Sequence, residues 1–330
     1  MSRPKVYITK PIPAEVRAYL DQHCDCTQWE EAGVAPRERL LEAIQDVEGL
    51  LTHGSLVDDE LLGHAPKLRA VSTISVGYNH FDLDAMRSRE VIGLHTPYVL
   101  DDTVADLVLA LMLSASRRIA ELDALVKAGK WQKGSSTNEQ EHFGMDVHHA
   151  KLGIIGMGRI GDAIAKRAVH GFGMELRYYN RSRRPEAEER YGAQYCDLEE
   201  LLRESDFVVL MTPLTPKTVH YIRKEHFELM KPTAFFINAS RGQTVDEAAM
   251  IEALQSGKIR GAGLDVFDVE PVQPDNPLLK MPNVVTLPHI GSATAQTRFD
   301  MAMLAARNLV EALNGSRPQH VVKELQSLLN

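Results

Sequence analysis

Cysteine is scarce in this chain, tryptophan scarcer still, and it holds no basic block and no apolar run long enough to cross a membrane. Cys24, Cys26 and Cys196 make neither a C-x-x-C pair nor a disulfide framework, so reduced thiols are expected. The amino terminus, Met1-Ser-Arg-Pro-Lys-Val-Tyr-Ile-Thr9, runs straight into a strand-like segment. It lacks the apolar centre of a signal peptide, and a cytoplasmic protein with no membrane partner is the expectation. The formal net charge is −8 with no cluster of lysines and arginines, which argues against nucleic acid as a partner. Internal repeats and low-complexity segments are absent, and no metal is expected.

What remains is the composition of an ordinary globular chain. Its 330 residues suggest about two domains. A content of 44% hydrophobic and 25% charged residues suits a large core. The chain is organised around Lys151-Leu-Gly-Ile-Ile-Gly-Met-Gly-Arg-Ile-Gly161. Leu152 to Ile155 has the length and composition of a buried parallel strand. Gly156, Gly158 and Gly161 follow at the G-x-G-x-x-G spacing, and helical residues continue from Asp162. Such a motif alone is only a glycine-rich turn; between a strand and a helix it reads as a dinucleotide site. Gly156 then makes the tight turn, Gly158 admits a pyrophosphate to the backbone, and Gly161 lets helix and strand pack closely. The phosphates sit on free N–H groups at the positive end of the helix.

Before that stretch, strand patterns at Val6–Thr9, Gly49–Thr52, Leu68–Ile74 and Val91–His95 alternate with helical ones, arguing a small doubly wound α/β domain. Thr103 to Lys130 reads as one long apolar helix, and residues 132–149 as a loop. From Lys151 the alternation resumes, with strands at Glu175–Tyr179, Phe207–Met211, Ala234–Asn238, Ala262–Val266 and Val284–Leu287, and an amphipathic helix at Thr294–Leu313. The first domain has no glycine fingerprint. The second therefore holds the nucleotide, and the first something smaller.

The end of the strand after the glycine motif selects the cofactor, because a carboxylate there binds the ribose 2′-hydroxyl of NAD. Here it reads Asn180-Arg181-Ser182-Arg183, with no carboxylate in reach. Two guanidiniums flanking a serine suit a 2′-phosphate, so NADPH is expected over NADH, the alternative being a solvated basic turn. Three further spots follow strands at the carboxyl edge, where open α/β sheets bind ligands: Asn238-Ala-Ser-Arg241-Gly242, Leu264-Asp265 through Glu270-Pro271, and Pro288-His289-Ile-Gly-Ser292. Singly, Arg241 reads equally as a surface arginine, Glu270 as a solvated acid and His289 as a core histidine. Together they are equipment for reducing a 2-oxo acid. Arg241 can hold the carboxylate, His289 can give a proton to the carbonyl oxygen, and Glu270 can fix the imidazole and keep it charged.

In order and wording these motifs resemble the D-2-hydroxyacid dehydrogenase family over essentially the whole chain. The likeness rests on Ser75-Val-Gly-Tyr-Asn-His-Phe-Asp82, Thr103-Val-Ala-Asp106, Gly156-Met-Gly-Arg-Ile-Gly161, Ser240-Arg-Gly242, Leu264-Asp-Val-Phe267 and Pro288-His-Ile-Gly291. Ser72-Thr-Ile-Ser-Val-Gly77, Asp146-Val-His-His149 and His289-Ile-Gly-Ser-Ala-Thr294 are similar to its branch of bacterial glyoxylate/hydroxypyruvate reductases that also reduce 2-ketogluconate. The resemblance implies two doubly wound parallel-sheet domains with the active site in a cleft between them. One is a flavodoxin-like substrate domain, residues 1–100 with a returning part at 292–330; the other is an NADP-binding Rossmann domain, 101–291. It implies a homodimer joined through the cofactor domains, and assigns Arg241, Glu270 and His289 as the catalytic set. Val76 and Gly77 would offer N–H groups to the substrate carboxylate. Thr103, Arg159, Ile160, Thr212, Pro213, Thr218, Ala239, Ser240, Asp265 and Gly291 would line the cofactor, together with Arg241 and His289. Many members carry a second tryptophan shortly after the one matched by Trp131. This chain has Gly134 and a polar run there, which leaves the size limit of the substrate open, as well as whether Phe143 fills the space. The alternative from another class is a nucleotide-sensing corepressor or scaffold of the same fold, which would usually carry disordered tails or recruitment segments.

Overall fold

A computed structural model describes residues 3–132 and 139–329, and its chain divides into two compact units. Residues 1–100 and 293–330 form the first unit, and 101–292 the second.

The first unit holds a five-stranded sheet made of β1 (Lys5–Ile8), β2 (Asp25–Gln28), β3 (Gly49–Thr52), β4 (Ala70–Thr73) and β5 (Ile92–Leu94), in the order β2-β1-β3-β4-β5. All pairs are parallel, with Val6 opposite Gly49 and Leu51 opposite Ser72. This is the flavodoxin-like order. β3 and β4 are buried at every residue, as their apolar runs predict, while β2 lies at the edge with a half-exposed Asp-Cys-Thr-Gln sequence. The sequence reading had no strand at β2, because an edge strand need not be apolar. Helix Ala295–Leu313 covers the sheet: the Ser72 hydroxyl donates to Ala305 O at 2.8 Å, and Asn308 Nδ2 to His95 O at 3.0 Å. Gly49 permits this closeness, since a Cβ there would stand 2.7 Å from Leu313 Cδ1.

The second unit holds seven parallel strands: β6 (Lys151–Ile155), β7 (Glu175–Tyr179), β8 (Gln194–Tyr195), β9 (Phe207–Leu210), β10 (Phe235–Asn238), β11 (Gly261–Leu264) and β12 (Val284–Thr286). Their order is β12-β11-β10-β9-β6-β7-β8. The topology reverses between β6 and β9, and such a switch point opens the crevice in which nucleotides bind. Phe207, Phe227 and Phe236 are almost wholly buried in its core. The long helix expected over Thr103–Lys130 is two helices, Asp101–Ser116 and Ile119–Lys127. Arg118 breaks it at φ 55°, and its guanidinium is held by both Glu121 carboxylate oxygens, at 2.8 and 2.6 Å. Within residues 132–149 a short 3-10 turn spans Glu139–His142; Gly134 lies outside the described residues. No helix among the described residues is long and apolar enough to cross a membrane.

Candidate active site

The glycine motif occupies the turn from β6 into helix Arg159–Phe172. Gly156 has φ +105°, and a Cβ on it would lie 2.7 Å from Met211 O. A Cβ on Gly161 would lie 2.7 Å from Gly156 O, so helix and turn touch backbone to backbone. At Gly158 the case is opposite: a Cβ would meet nothing within 4 Å. Gly158 is also the N-cap, and no side chain caps the helix. Open space beside uncapped N–H groups suits an anionic diphosphate. The Thr212 hydroxyl, just past β9, is buried with no hydrogen-bond partner, an orphan that a ligand would satisfy. The residues present thus fit a dinucleotide.

Asn180 follows β7. Its Oδ1 accepts from Met157 N at 2.8 Å and its Nδ2 donates to Met157 O at 3.2 Å, fastening the strand end to the glycine turn. Arg183 pairs with Glu188 through Nε and Nη2, at 3.0 and 2.5 Å, so an incoming phosphate has to compete for it. Arg181 and Ser182 are exposed, and Arg181 makes no ion pair among the described residues. Thr218 Oγ1 donates to Pro213 O at 2.7 Å, closing the loop after β9. Arg159 Nε donates to Asp101 Oδ2 at 3.1 Å, while Asp101 Oδ1 is buried and unpartnered. Burial pushes the Asp101 carboxyl up and Arg159 opposes it. Thr103 and Ile160 lie in the first turns of their helices, half-buried.

Arg241, Glu270 and His289 follow β10, β11 and β12, three neighbouring strands. Asn238 Oδ1 accepts from both the N–H and the hydroxyl of Ser240, at 3.0 and 2.8 Å, and shapes the turn through Ala239. Arg241 Nη1 donates to Ser240 O at 2.6 Å. Burial lowers the Arg241 pKa and the charge of Glu270 works against that shift. Gly242 is indispensable to the arrangement, for a Cβ there would fall 1.8 Å from Phe267 C and O. The turn after β10 is therefore pressed onto the loop that carries Glu270.

Glu270 Oε2 lies 2.7 Å from His289 Nδ1, and Oε1 accepts from Phe267 N at 3.0 Å. Burial pushes the Glu270 carboxyl up, but the hydrogen bond and charge of His289, with Phe267 N–H, bring it below its ordinary value. The carboxylate fixes the proton on Nδ1 and leaves Nε2 without a partner among the described residues. His289 has φ +53°, and Asp265 holds the backbone beyond it. Asp265, 1% exposed, accepts from Ile290 N at 2.7 Å and Gly291 N at 2.8 Å. Burial raises its pKa against those two N–H groups.

In the first unit, Val76 and Gly77 follow β4. Their carbonyls are engaged, by His95 Nδ1 at 2.9 Å and Ser75 Oγ at 2.7 Å. Their two N–H groups have no acceptor among the described residues. Sequence reasoning missed Asn238 as the brace of the Arg241 turn and Asp101 as the partner of Arg159. Their position at element ends was the only signal. Phe143 and Trp131 are exposed, at 58% and 73%. No group of three or more metal-ligating side chains occurs among the described residues.

Residues 109–291 match the family described as D-isomer specific 2-hydroxyacid dehydrogenase, NAD binding domain. A glyoxylate/hydroxypyruvate reductase B of Escherichia fergusonii is 50% identical over 97% of this chain and 98% of its own. A crystal structure of a Thermus thermophilus protein superposes with a TM-score of 0.89 at 38% identity, covering 96% of this chain and 99% of that one. An NADPH-dependent glyoxylate/hydroxypyruvate reductase of Sinorhizobium meliloti, in complex with NADP and malonate, gives 0.86 at 31% identity, covering 98% of each chain.

The lowered pKa of Glu270 makes a stability prediction. A carboxylate whose folded-state pKa lies below its unfolded value stabilises the fold above the unfolded value, about pH 4.3 for glutamate. That advantage disappears as pH falls through the lower folded-state value. Wild type is therefore expected to unfold at higher urea than Glu270→Gln at pH 7, with the two midpoints converging as the solution is acidified. A gap between midpoints that persists to low pH would show that Glu270 does not act through its charge.

Proposed function

From the chain's membership of the D-isomer specific 2-hydroxyacid dehydrogenase family, NAD(P)-dependent oxidoreductases, we propose that it reduces small 2-oxo acids, glyoxylate and hydroxypyruvate first among them, with NADPH. 2-Ketogluconate is a further substrate of the same kind. The observation that carries this reading is the 2.7 Å contact between His289 Nδ1 and Glu270, on strand ends next to that of Arg241. Bound nicotinamide supplies the hydride. His289 donates a proton from Nε2 to the carbonyl oxygen, leaving a D-2-hydroxy acid. Glu270 accepts from Nδ1 and orients the ring. In the second unit the Arg241 guanidinium serves the substrate carboxylate, and Asp265 keeps the His289 segment in register; in the first unit the N–H groups of Val76 and Gly77 are the carboxylate donors. Gly156, Gly158 and Gly161 seat the diphosphate, Thr212 gains a partner for its hydroxyl, and Arg181 with Ser182 and Arg183 receives the 2′-phosphate. A purely sensory role finds no separate support, whereas an imidazole–carboxylate pair has a direct use in proton transfer.

The same reading includes a homodimer. Helix Ile119–Lys127 buries none of its residues, yet Ile119, Leu122 and Val126 share one face, and Ile119 and Val126 are 53% and 50% exposed. An apolar face left open on a soluble enzyme suits a second copy of the chain.

Three outcomes test this function. His289→Ala should lose roughly 10²–10⁴-fold in kcat for glyoxylate reduction with NADPH affinity near wild type. An alanine variant that keeps wild-type kcat removes His289 from the chemistry. Arg181→Ala should weaken NADPH by about ten- to a hundredfold, since a hydrogen bond to a charged group is worth ~1.5–3 kcal/mol, and hardly affect NADH. A wild type that prefers NADH, or equal losses for both cofactors, refutes the phosphate clamp. The double change Ile119→Asp with Val126→Asp should turn a dimer into a monomer by light scattering. An unchanged mass would place the interface elsewhere.

A further inference from the structure

The carboxyl edge of the first unit's sheet carries two cations and an imidazole that the reaction above does not use. Lys10 lies two residues beyond β1, His53 follows β3 directly, and Arg298 sits in the first turn of helix Ala295–Leu313. Arg298 Nη1 is 3.1 Å from His53 Nε2. A guanidinium only donates, so Nε2 accepts and the imidazole is neutral with its proton on Nδ1. The surroundings agree: burial first, then Lys10 and Arg298, push His53 down to about 4. Burial and the charge of Arg298 also lower Lys10. The other charge bearing on His53 is His80, whose Nε2 is 3.1 Å from Thr73 Oγ1. Lys10 forms no ion pair among the described residues. Two residues past His53, the Ser55 hydroxyl is buried without a partner.

Lys10, half-buried beside a second cation, is unfavourable there unless an anion joins it. The strand order supplies a length for that anion's molecule. β1, β3 and β4 are consecutive neighbours, and β4 leads to the open N–H groups of Val76 and Gly77. At about 4.8 Å between strands, Lys10 is displaced from that loop by two strands, roughly 10 Å.

We propose that Lys10 and Arg298 form a second anion subsite, with neutral His53 as a positioning residue for the Arg298 guanidinium, which takes the distal carboxylate of a 2-oxo diacid whose first carboxylate lies at Val76 and Gly77. This rests on the reading that Val76 and Gly77 hold the substrate carboxylate. The substrate class is then 2-oxo acids of about five or six carbons that end in a second carboxylate. His53 contributes by accepting from Arg298 without adding a third charge.

The test compares 2-oxoglutarate with 2-oxopentanoate, which has the same carbon chain and no distal charge. Wild type should favour the diacid in kcat/KM by roughly ten- to a hundredfold, the worth of a charge-assisted hydrogen bond. Lys10→Met should bring that ratio down by about tenfold or more, mainly through the KM for 2-oxoglutarate, and Lys10→Arg should restore it. Calorimetric titration of 2-oxoglutarate into the enzyme–NADP complex reads the subsite without turnover. If the wild-type ratio is near one, or Lys10→Met leaves it unchanged while glyoxylate is still reduced, the subsite is refuted. If no 2-oxo acid is reduced but 2-oxoglutarate binds with the same dependence on Lys10, the reaction is refuted and the subsite stands. Binding that Lys10→Met does not weaken refutes the subsite in either case.

Discussion

Every strand pair in both sheets is parallel, and parallel neighbours can be joined only by a crossover that carries the chain back over a face of the sheet. The carboxyl ends of all strands in a sheet therefore share one edge, whatever their distance along the sequence. Irregular turns gather there, each starting from a rigid strand. Arg241, Glu270 and His289 owe their proximity to this, as do Lys10 and His53 in the other unit. Chemistry that needs several side chains in fixed relation is thus confined to the two carboxyl edges.

Strand ends alone would leave the loops loose. In the second unit they are fastened by close approach and by buried acceptors. Gly242 lets backbone meet backbone at Phe267, and Asn238 and Asp265 each accept two N–H or O–H groups from the segment they hold. A buried carboxylate is costly unless its oxygens are satisfied, and the two N–H groups of Ile290 and Gly291 meet that need. The result is a preorganised imidazole whose partner carboxylate is itself held by a backbone donor. Preorganisation of this kind lets charge develop without the protein having to rearrange.

Charge is distributed with the same economy. Many surface ions among the described residues are paired, as in Arg17 with Asp21 and Arg203 with Glu199, and such exposed pairs add little stability. Among the described residues, the polar groups left open include the N–H groups of Val76 and Gly77, the ammonium of Lys10, the hydroxyl of Thr212 and the guanidinium of Arg181. All five follow the ends of parallel strands. Open polar groups gathered at strand ends mark places for ligands.

The glycine spacing, the apolar runs of β3, β4, β6, β9 and β10 and the turn residues after β10, β11 and β12 were legible in the sequence, because each is set by local backbone demands. Gly156 must adopt a positive φ, and Gly161 must lack a Cβ, wherever the rest of the chain goes. The same locality explains the misses. β2 and β8 are short edge strands whose polar sequences follow from having only one neighbour, and at the break in the long helix Arg118 takes a positive φ with its guanidinium on Glu121. Which charges would be paired was beyond the sequence altogether. Arg181 and Arg183 look alike in the chain, and only the fold puts Glu188 on one of them. Lys10, His53 and Arg298 are separated by up to hundreds of residues, and they meet because the returning helix lies on the sheet that the first hundred residues build. Local geometry is written in neighbouring residues, whereas electrostatic partnership depends on distance through space, which only the tertiary structure decides.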